Sequence, residues 1–490
     1  MSIADFSGRI RPDACPGALQ VHEAADGPLA RIRLPGGAAS PAQLHALADC
    51  AEAFGSGVIE LTSRANVQVR GLHSPTAFAE RLTAAGLLPS LAHERVRNIV
   101  ASPMSGRGVL GVVDVLAVVQ ALDLALCGRE RLAGLPGRFL FAVDDGTGDV
   151  SGLGADVTWA AVAVDAPPNA EIIGARTDAR NSGAALPDGA LPHGALPGGA
   201  LPGGAPPNGV LPDGALPNRA LPGGALRSGE SPGGRLLLAG WDTGLICSPA
   251  AAVPLMLAAA EAFLDERPDD APHAWRIQEL ENGPARITAR LTADPAVRAL
   301  TTVPATGTMG QNPTTDPVPD PTIDPVTRPS VDRPVTPLER ADVGRRAGRI
   351  TQRDGRVALQ VLVPLGRLTP AQLRALADSG PAVRLTPWRT AVSLDLSPEA
   401  ADRAERALTE AGLVTDPASP WTGVTACTGR PGCGKALADV QADARRWVES
   451  QAAAPGTPVH WAGCERRCGL PRGQVVELIA TGDGYRRHPQ

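Results

Sequence analysis

The chain has 490 residues, too many for one ordinary hydrophobic core, so about two to four domains are expected. A formal net charge of −5 lacks the basic excess of a nucleic-acid-binding protein. One Tyr and six Phe against 55 Gly and 48 Pro indicate that part of the length is low-complexity sequence rather than core.

The first residues, MSIADFSGRIRPDACPG, contain no apolar run and no small-residue cleavage site, so no secretory signal is expected. The most apolar stretches are Val109–Cys127, broken by Asp114 and Asp123, and Ala250–Leu264, fifteen residues with Pro254 inside. Both fall short of the roughly 18 uncharged apolar residues that span a bilayer. A cytoplasmic chain with no membrane partner is expected. In that compartment its eight cysteines are ligands or small buried hydrophobes rather than disulfides.

In chain order, the first patterned segment is Arg31-Ile32-Arg33-Leu34-Pro35, an alternating strand closed by a Pro/Gly turn. Ser40-Pro41 then sets a hydroxyl N-cap before a proline at the first helical position, and Leu44 and Leu47 mark the apolar face of the helix. Leu61-Thr62 is expected to open another strand. From Gly183 to Ser228 a five-residue unit with a proline recurs, which forbids helix and sheet, so about 170–232 reads as a disordered insertion. A second linker, rich in Pro, Thr and Asp, covers Thr306–Pro337.

Beyond it the first unit returns. Residues 41–49 and 370–378 are identical at eight of nine positions, and Thr369-Pro370 repeats the cap. Gln360-Val361-Leu362-Val363-Pro364 repeats the strand, and Leu385-Thr386 repeats the last element after a five-residue shortening. A duplicated α+β unit predicts a pseudo-twofold fold with its site at the junction. The copies differ in charge: copy one carries Arg31 and Arg33 on one strand face, then Arg64 and Arg70. Copy two has Gln360 and Leu362 there and keeps mainly Arg389. An arginine face suits an anion, although surface strands often carry arginine without a ligand.

The chemistry-bearing pattern is C-terminal. Cys427-x5-Cys433 is followed, thirty residues on, by Cys464-x3-Cys468. Four thiols in two close pairs suit a structural zinc, an iron–sulfur cluster or two disulfides. The x5 arm is wide for one tetrahedral ion and favours a [4Fe–4S] cluster. Glycines at 429, 432, 434, 463 and 469 allow tight turns and let backbone N–H groups approach sulfur. Cys15, Cys50, Cys127 and Cys247 are scattered singly and read as small buried hydrophobes.

With this cysteine pattern after a duplicated unit, the chain resembles the sirohaem-dependent sulfite and nitrite reductase family. ARIRLPGG (30–37), LTSRANVQVRG (61–71), VRNIVASPMSG (96–106) and LPGRFLFAV (135–143) are further family-like stretches. The resemblance implies two ferredoxin-like half-domains, at 1–85 and 346–416, with pseudo-twofold symmetry. It implies two α/β lobes, the first from 86–169 and 233–300 without a cluster and the second at 417–490 with one. Residues 301–345 would link them.

It also implies that the four cysteines hold the cluster, that Cys468 bridges to a sirohaem iron where one is bound, and that Arg33, Arg64 and Arg97 surround a tetrapyrrole. The sequence departs from the reductases where they carry two lysines about a phenylalanine, since Arg138 and Leu140 flank Phe139 here. TACTGRPGC, HWAGCERRCG and LTPWR are similar to the branch of the family that hydroxylates precorrin-3A in aerobic cobalamin biosynthesis. That branch implies molecular oxygen as co-substrate and NADH as electron source. A separate reductase is expected to deliver the electrons, because no Gly-rich NADH fingerprint occurs. Arg31, Arg33, Arg64, Arg97 and Arg389 are the expected carboxylate clamps, with Arg97 and Arg138 at the catalytic positions. A further non-haem iron is expected for oxygen activation, with no ligands assigned among His22, His45, His73, His93 and His460.

Overall fold

Two helices of this chain begin alike. In one, the Ser40 hydroxyl accepts the Gln43 N–H at 3.2 Å while the Gln43 side chain accepts the Ser40 N–H. In the other, Thr369 and Gln372 make the same reciprocal pair. Each box ends in a proline at the first helical position, where no N–H is needed. The computed structural model that shows this describes residues 13, 15–165, 230–267, 274–301, 346–471 and 473–489. The segments read as an insertion and a linker lie outside those residues, apart from Glu230–Pro232 and Thr301.

Copy one comprises β1 (His22–Ala24), β2 (Gly27–Ile32), β3 (Ala38–Ala39), α1 (Pro41–Phe54), β4 (Ile59–Leu61), β5 (Val67–Val69) and α2 (Pro75–Ala84). The first lobe follows with β6 (Ile99–Ala101), α3 (Leu116–Cys127), β7 (Phe141–Asp144), β8 (Val157–Asp165), β9 (Glu230–Leu238), β10 (Trp241–Cys247), α4 (Pro249–Glu266), α5 (Gly283–Ala293) and α6 (Pro295–Leu300). Copy two is β11 (Gly348–Thr351), β12 (Val357–Leu362), β13 (Arg367–Leu368), α7 (Pro370–Asp378), β14 (Ala382–Leu385), β15 (Thr390–Leu396) and α8 (Pro398–Glu410). The second lobe is β16 (Val424–Ala426), α9 (Val440–Glu449), β17 (Val459–Ala462), β18 (Val476–Thr481) and β19 (Gly484–Pro489).

The two copies form two sheets of one order, β1-β2-β5-β4-β13 and β11-β12-β15-β14-β3. Each two-residue strand crosses to the other copy. Arg367 and Leu368 pair with Glu60 and Ile59, and Ala38 and Ala39 pair with Arg384 and Val383. One face of each sheet packs on the helices in a shared core that includes Ile32, Leu44, Leu47, Val67, Leu359, Leu373 and Leu376.

Leu61 and Leu385 end strands rather than open them. Thr62 N–H bonds Asn66 C=O and Thr386 N–H bonds Thr390 C=O, both at 2.9 Å, so a tight turn begins there. Each turn contains one left-handed residue, Ala65 (φ 55) or Arg389 (φ 62). By this register Arg389 corresponds to Ala65, and Trp388 to Arg64.

Both lobes start with three parallel strands, β6-β7-β8 and β16-β17-β18. Each is extended by antiparallel strands. In each, a loop leads from the first strand to a helix on the sheet. Among the described residues, no helix is long and apolar enough to cross a membrane.

Ser40→Ala and Thr369→Ala are each expected to cost about 1 kcal/mol of stability. The two caps share no partner, so the double variant should lose about the sum, read from urea midpoints at constant slope.

Candidate cluster and anion site

The first cysteine arm leaves β16 directly. Cys427 N–H bonds the Trp461 C=O at 2.9 Å, which continues the β16–β17 pairing by one residue, and Gly463 N–H reaches the Cys427 sulfur at 3.1 Å. Leu437 N–H closes on the Gly463 C=O at 2.8 Å, so the loops bearing the two thiol pairs are tied to each other. A side chain at Gly463 would place its Cβ 2.7 Å from that of Ala436 and 3.5 Å from the Cys427 sulfur, so glycine is needed for this approach. Cys427, Cys433 and Cys464 are half-buried and Cys468 is exposed.

The thiols are not drawn together as a single zinc ion would need. A tetrahedral zinc with 2.3 Å bonds would bring its sulfurs to roughly 3.8 Å of one another. Among the described residues, only Asp144, Asp145 and Asp149 bring three potential ligand atoms within 4.8 Å, so no three of these sulfurs do. A cuboidal cluster takes one thiolate at each of four iron corners and holds its sulfurs further apart. Burial pushes the Cys427 thiol up, against the N–H donors of Gly463 and Gly429.

The cluster loop rests on copy one. Arg70 donates to the Gly432 C=O at 2.8 Å while Asp26 holds it at 2.7 and 2.8 Å. Burial alone would lower this guanidinium, but Asp26 and Glu60 outweigh it and keep it above its ordinary value. Beside it a polar row crosses four strands: Arg31 opposite Gln68, Gln68 opposite Glu60, and Glu60 opposite Arg367. Gln68 accepts from Arg31 at 2.9 Å and donates to Glu60 at 3.0 Å. Glu60 accepts from Arg367 at 2.8 and 3.0 Å. In copy two the matching face carries Ala358, Val392 and Leu394, which pack on Met104 of the first lobe.

Of the arginines expected here, Arg31, Arg33 and Arg64 come together, and none is bonded to a carboxylate among the described residues. Arg33 is 2% exposed and donates only to the backbone carbonyls of Arg95 and Pro16, both at 3.1 Å, and to the Cys15 sulfur at 3.5 Å. Burial first, then the neighbouring Arg31 and Arg64, bring it down to about 9 despite Cys15. Burial and Arg276 bring Arg64 down to about 10.

Arg389 sits apart from these three, beside Cys427 and Glu60, with Gly366 and Gly469 against its side chain. Its guanidinium makes no hydrogen bond among the described residues, and burial lowers its pKa. The preceding Trp388 packs on the first lobe against the cluster that contains Leu140.

Arg97 does not join this group. Asp123 on α3 takes its Nε and Nη2 at 2.7 and 2.6 Å, and the Leu87 carbonyl takes Nη1 at 3.4 Å, so it ties α3 to the chain before β6. Arg138 is exposed, lies 3.6 Å from Asp13, and stacks 4.9 Å over Trp275. Neither has a guanidinium free at the thiols. Glu60, Gln68 and Arg367 of the row escaped the sequence reading, and their signal is register across strands, which for Arg367 only the exchange of β13 reveals. Cys15 is buried as expected yet accepts from Arg31 at 2.9 Å.

The histidines do not converge. His45 bonds Asp378 at 2.8 Å, His93 bonds Ser90 and the Arg129 carbonyl, and His460 bonds Thr425 at 2.9 Å. Ser102 of the first lobe holds the Cys427 position, because its N–H bonds Val143 C=O and its hydroxyl accepts the Asp145 N–H at 3.1 Å. That hydroxyl donates to Asp149 at 2.7 Å.

The family described as nitrite/sulfite reductase ferredoxin-like half domain matches residues 22–77 and 350–411. A ferredoxin–nitrite reductase of Synechococcus elongatus is 36% identical over 126 residues, 24% of this chain and 25% of that protein. A precorrin-3B synthase of Sinorhizobium sp. is 31% identical over 137 residues, 28% of this chain and 29% of that protein. Each match thus spans about a quarter of the relative's length. The Mycobacterium tuberculosis NirA structure superposes with a TM-score of 0.62 at 18% identity, covering 94% of this chain and 73% of that one, which establishes the likeness of fold. Two segments of the chain thus match the ferredoxin-like half domain of nitrite and sulfite reductases, one in each copy. The relatives of the chain are oxidoreductases.

Burial, then Asp144 and Asp145, push the Asp149 carboxyl up to about 7. The folded chain keeps a proton that the unfolded chain releases near pH 4. This stabilisation is full below about pH 4 and lost as pH rises towards about 7. Asp149→Asn keeps the Ser102 acceptor, so its thermal midpoint should exceed wild type at pH 8 and converge with it near pH 4.

Proposed function

We propose that this chain is a precorrin-3B synthase, an oxygen- and NADH-dependent monooxygenase of aerobic cobalamin biosynthesis acting in the cytoplasm. It converts precorrin-3A to precorrin-3B by hydroxylation and closure of a ring-A acetate to a γ-lactone. One oxygen atom enters the product and the other leaves as water, with two electrons from NADH delivered by a separate reductase.

Cys427, Cys433, Cys464 and Cys468 are the proposed ligands of a [4Fe–4S] cluster, whose chemistry is single-electron transfer. Arg31, Arg33 and Arg64 on one side and Arg389 on the other are the proposed clamps for the rim of acetate and propionate carboxylates. Guanidinium forks bind carboxylates bidentately and stay charged at any working pH, and partial burial strengthens each pair. The half-domains are read as a pseudo-twofold pair, which their reciprocal strand exchange supports.

The observation that carries the choice of branch is Leu140. It stands where the resemblance gives the reductases a lysine, yet it is 4% exposed and packed with Val100, Ala142, Val150 and Ala155. Its backbone N–H is bonded to Asp156. A cation to feed protons to a bound oxyanion is missing at that position, and Arg138 is engaged at the surface. The second reading, an assimilatory sulfite or nitrite reductase with sirohaem, is favoured by the 36% identity to a ferredoxin–nitrite reductase.

Anaerobically purified protein should contain about four irons and four sulfides per chain. Cys427→Ser or Cys468→Ser should lose the broad visible absorption while keeping the far-UV signal. With precorrin-3A, a reductase and NADH, label from oxygen gas should appear in the lactonised product. A stoichiometric sirohaem band together with sulfite- or nitrite-dependent turnover would instead establish the second reading.

A further inference from the structure

The segment before β1 lies against the arginine face. Glu94, 4% exposed, accepts the N–H groups of Ala18, Leu19 and Gln20, the last two at 2.8 and 3.1 Å. A Cβ at Gly17 would fall 2.2 Å from the Glu94 carboxylate, so only glycine lets the chain come this close. Gly17 C=O accepts the Arg31 N–H at 2.8 Å, and Arg95 donates to the Asp13 C=O at 2.6 Å. Cys15 is thereby fixed with 8% exposure between two guanidiniums: Arg31 Nη1 at 2.9 Å and Arg33 Nη2 at 3.5 Å. The nearby Asp13 carboxylate is committed to the N–H groups of Cys15 and Arg138.

A thiol is a weak acceptor for two cations. Buried guanidinium is stable when paired with an anion, and a buried donor left unmade costs its full desolvation. Yet among the described residues Arg33 Nη1 is buried with no acceptor, and no carboxylate bonds Arg31 or Arg33. A small buried hydrophobe at position 15 would leave Arg31 Nη1 unsatisfied as well.

We propose that the Cys15 sulfur is the internal occupant of an anion subsite, holding between Arg31 and Arg33 the place that one ligand carboxylate takes on binding. The inference rests on the reading of these arginines as carboxylate clamps and adds a residue to it. Exchange of thiol for carboxylate replaces weak bonds by charge-assisted ones and offers Arg33 Nη1 an acceptor. Cys15 is thus a positioning residue: it keeps both forks aligned while the subsite waits for its ligand.

The full chain as purified is titrated with uroporphyrin I, a soluble macrocycle bearing eight carboxylates, by quenching of tryptophan fluorescence. Thermal midpoints are measured alongside. Cys15→Asp should give the two guanidiniums a permanent carboxylate, raising the midpoint while weakening uroporphyrin binding by about tenfold or more. Cys15→Ser, which keeps a small acceptor, should bind within about twofold of wild type. Opposite signs in stability and binding are the signature, because a merely structural cysteine would lose both.

Wild-type affinity in Cys15→Asp, or a midpoint that falls in that variant, overturns the role of Cys15. If Arg33→Gln weakens binding in that case, the clamp reading survives without it. A wild-type chain that does not bind uroporphyrin overturns both.

Discussion

The two-residue strands β3 and β13 are the constraint on which the rest of the structure hangs. Each completes the sheet of the other copy, so neither half-domain has its fifth strand alone, and one apolar core serves both. The exchange also brings Arg367 of copy two opposite Glu60 of copy one, extending a polar row that would otherwise stop at an exposed edge. Edge strands need such cover, and here the cover carries charge. The turn after β14 is fixed by the same sheet. From it Trp388 packs into the first lobe, while Arg389 lies beside the first thiol of the second.

Duplication with divergence explains why only one face carries a connected row of polar side chains. The row Arg31–Gln68–Glu60–Arg367 has its counterpart in Gln360–Val392–Arg384–Ala38, read from the same strand pairings. The second row is covered by Met104 and Pro103 of the first lobe, and Arg384 spends a donor on the Pro103 carbonyl at 3.1 Å. Gln360 is fully buried with neither amide atom bonded, a polar residue left in a face that has become packing. The lobes diverge in parallel. Ser102 and Cys427 hold one position and each receives the backbone donor two residues after the paired strand position, Asp145 or Gly463, but the hydroxyl leads on to the Asp149 carboxylate.

Local signals were legible in the sequence. Both hydroxyl N-caps and their prolines were read from Ser40-Pro41 and Thr369-Pro370, and the cysteine spacing marked the two loops that the structure ties together. What could not be read depended on partners far along the chain. The family resemblance put Arg97 among the clamps, but its acceptor is Asp123, one helix later, and no spacing rule links a strand-edge arginine to that helix. Cys15 looked like any lone apolar thiol, because the donors that single it out lie on the next strand but one. Leu61 misled for a different reason: a β-branched and apolar pair suits a strand end as well as a strand start, and the left-handed residue that decides between them is an alanine in one copy and an arginine in the other.

Charge pairing separates the arginines more sharply than exposure does. Arg70, Arg97, Arg107, Arg276 and Arg367 each meet a carboxylate within 2.9 Å and act as struts between segments. Among the described residues Arg31, Arg33, Arg64 and Arg389 meet none, although Arg33 is among the most buried side chains. The carboxylate in their own row, Glu60, accepts instead from Gln68, Arg70 and Arg367. Leaving cations unpaired in a half-buried setting costs stability, and that cost is recovered only when an anion of matching geometry arrives. Under the proposed function, ligand carboxylates would lie at Arg31, Arg33 and Arg64, on the half-domain whose Arg70 also anchors the loop of Cys427 and Cys433.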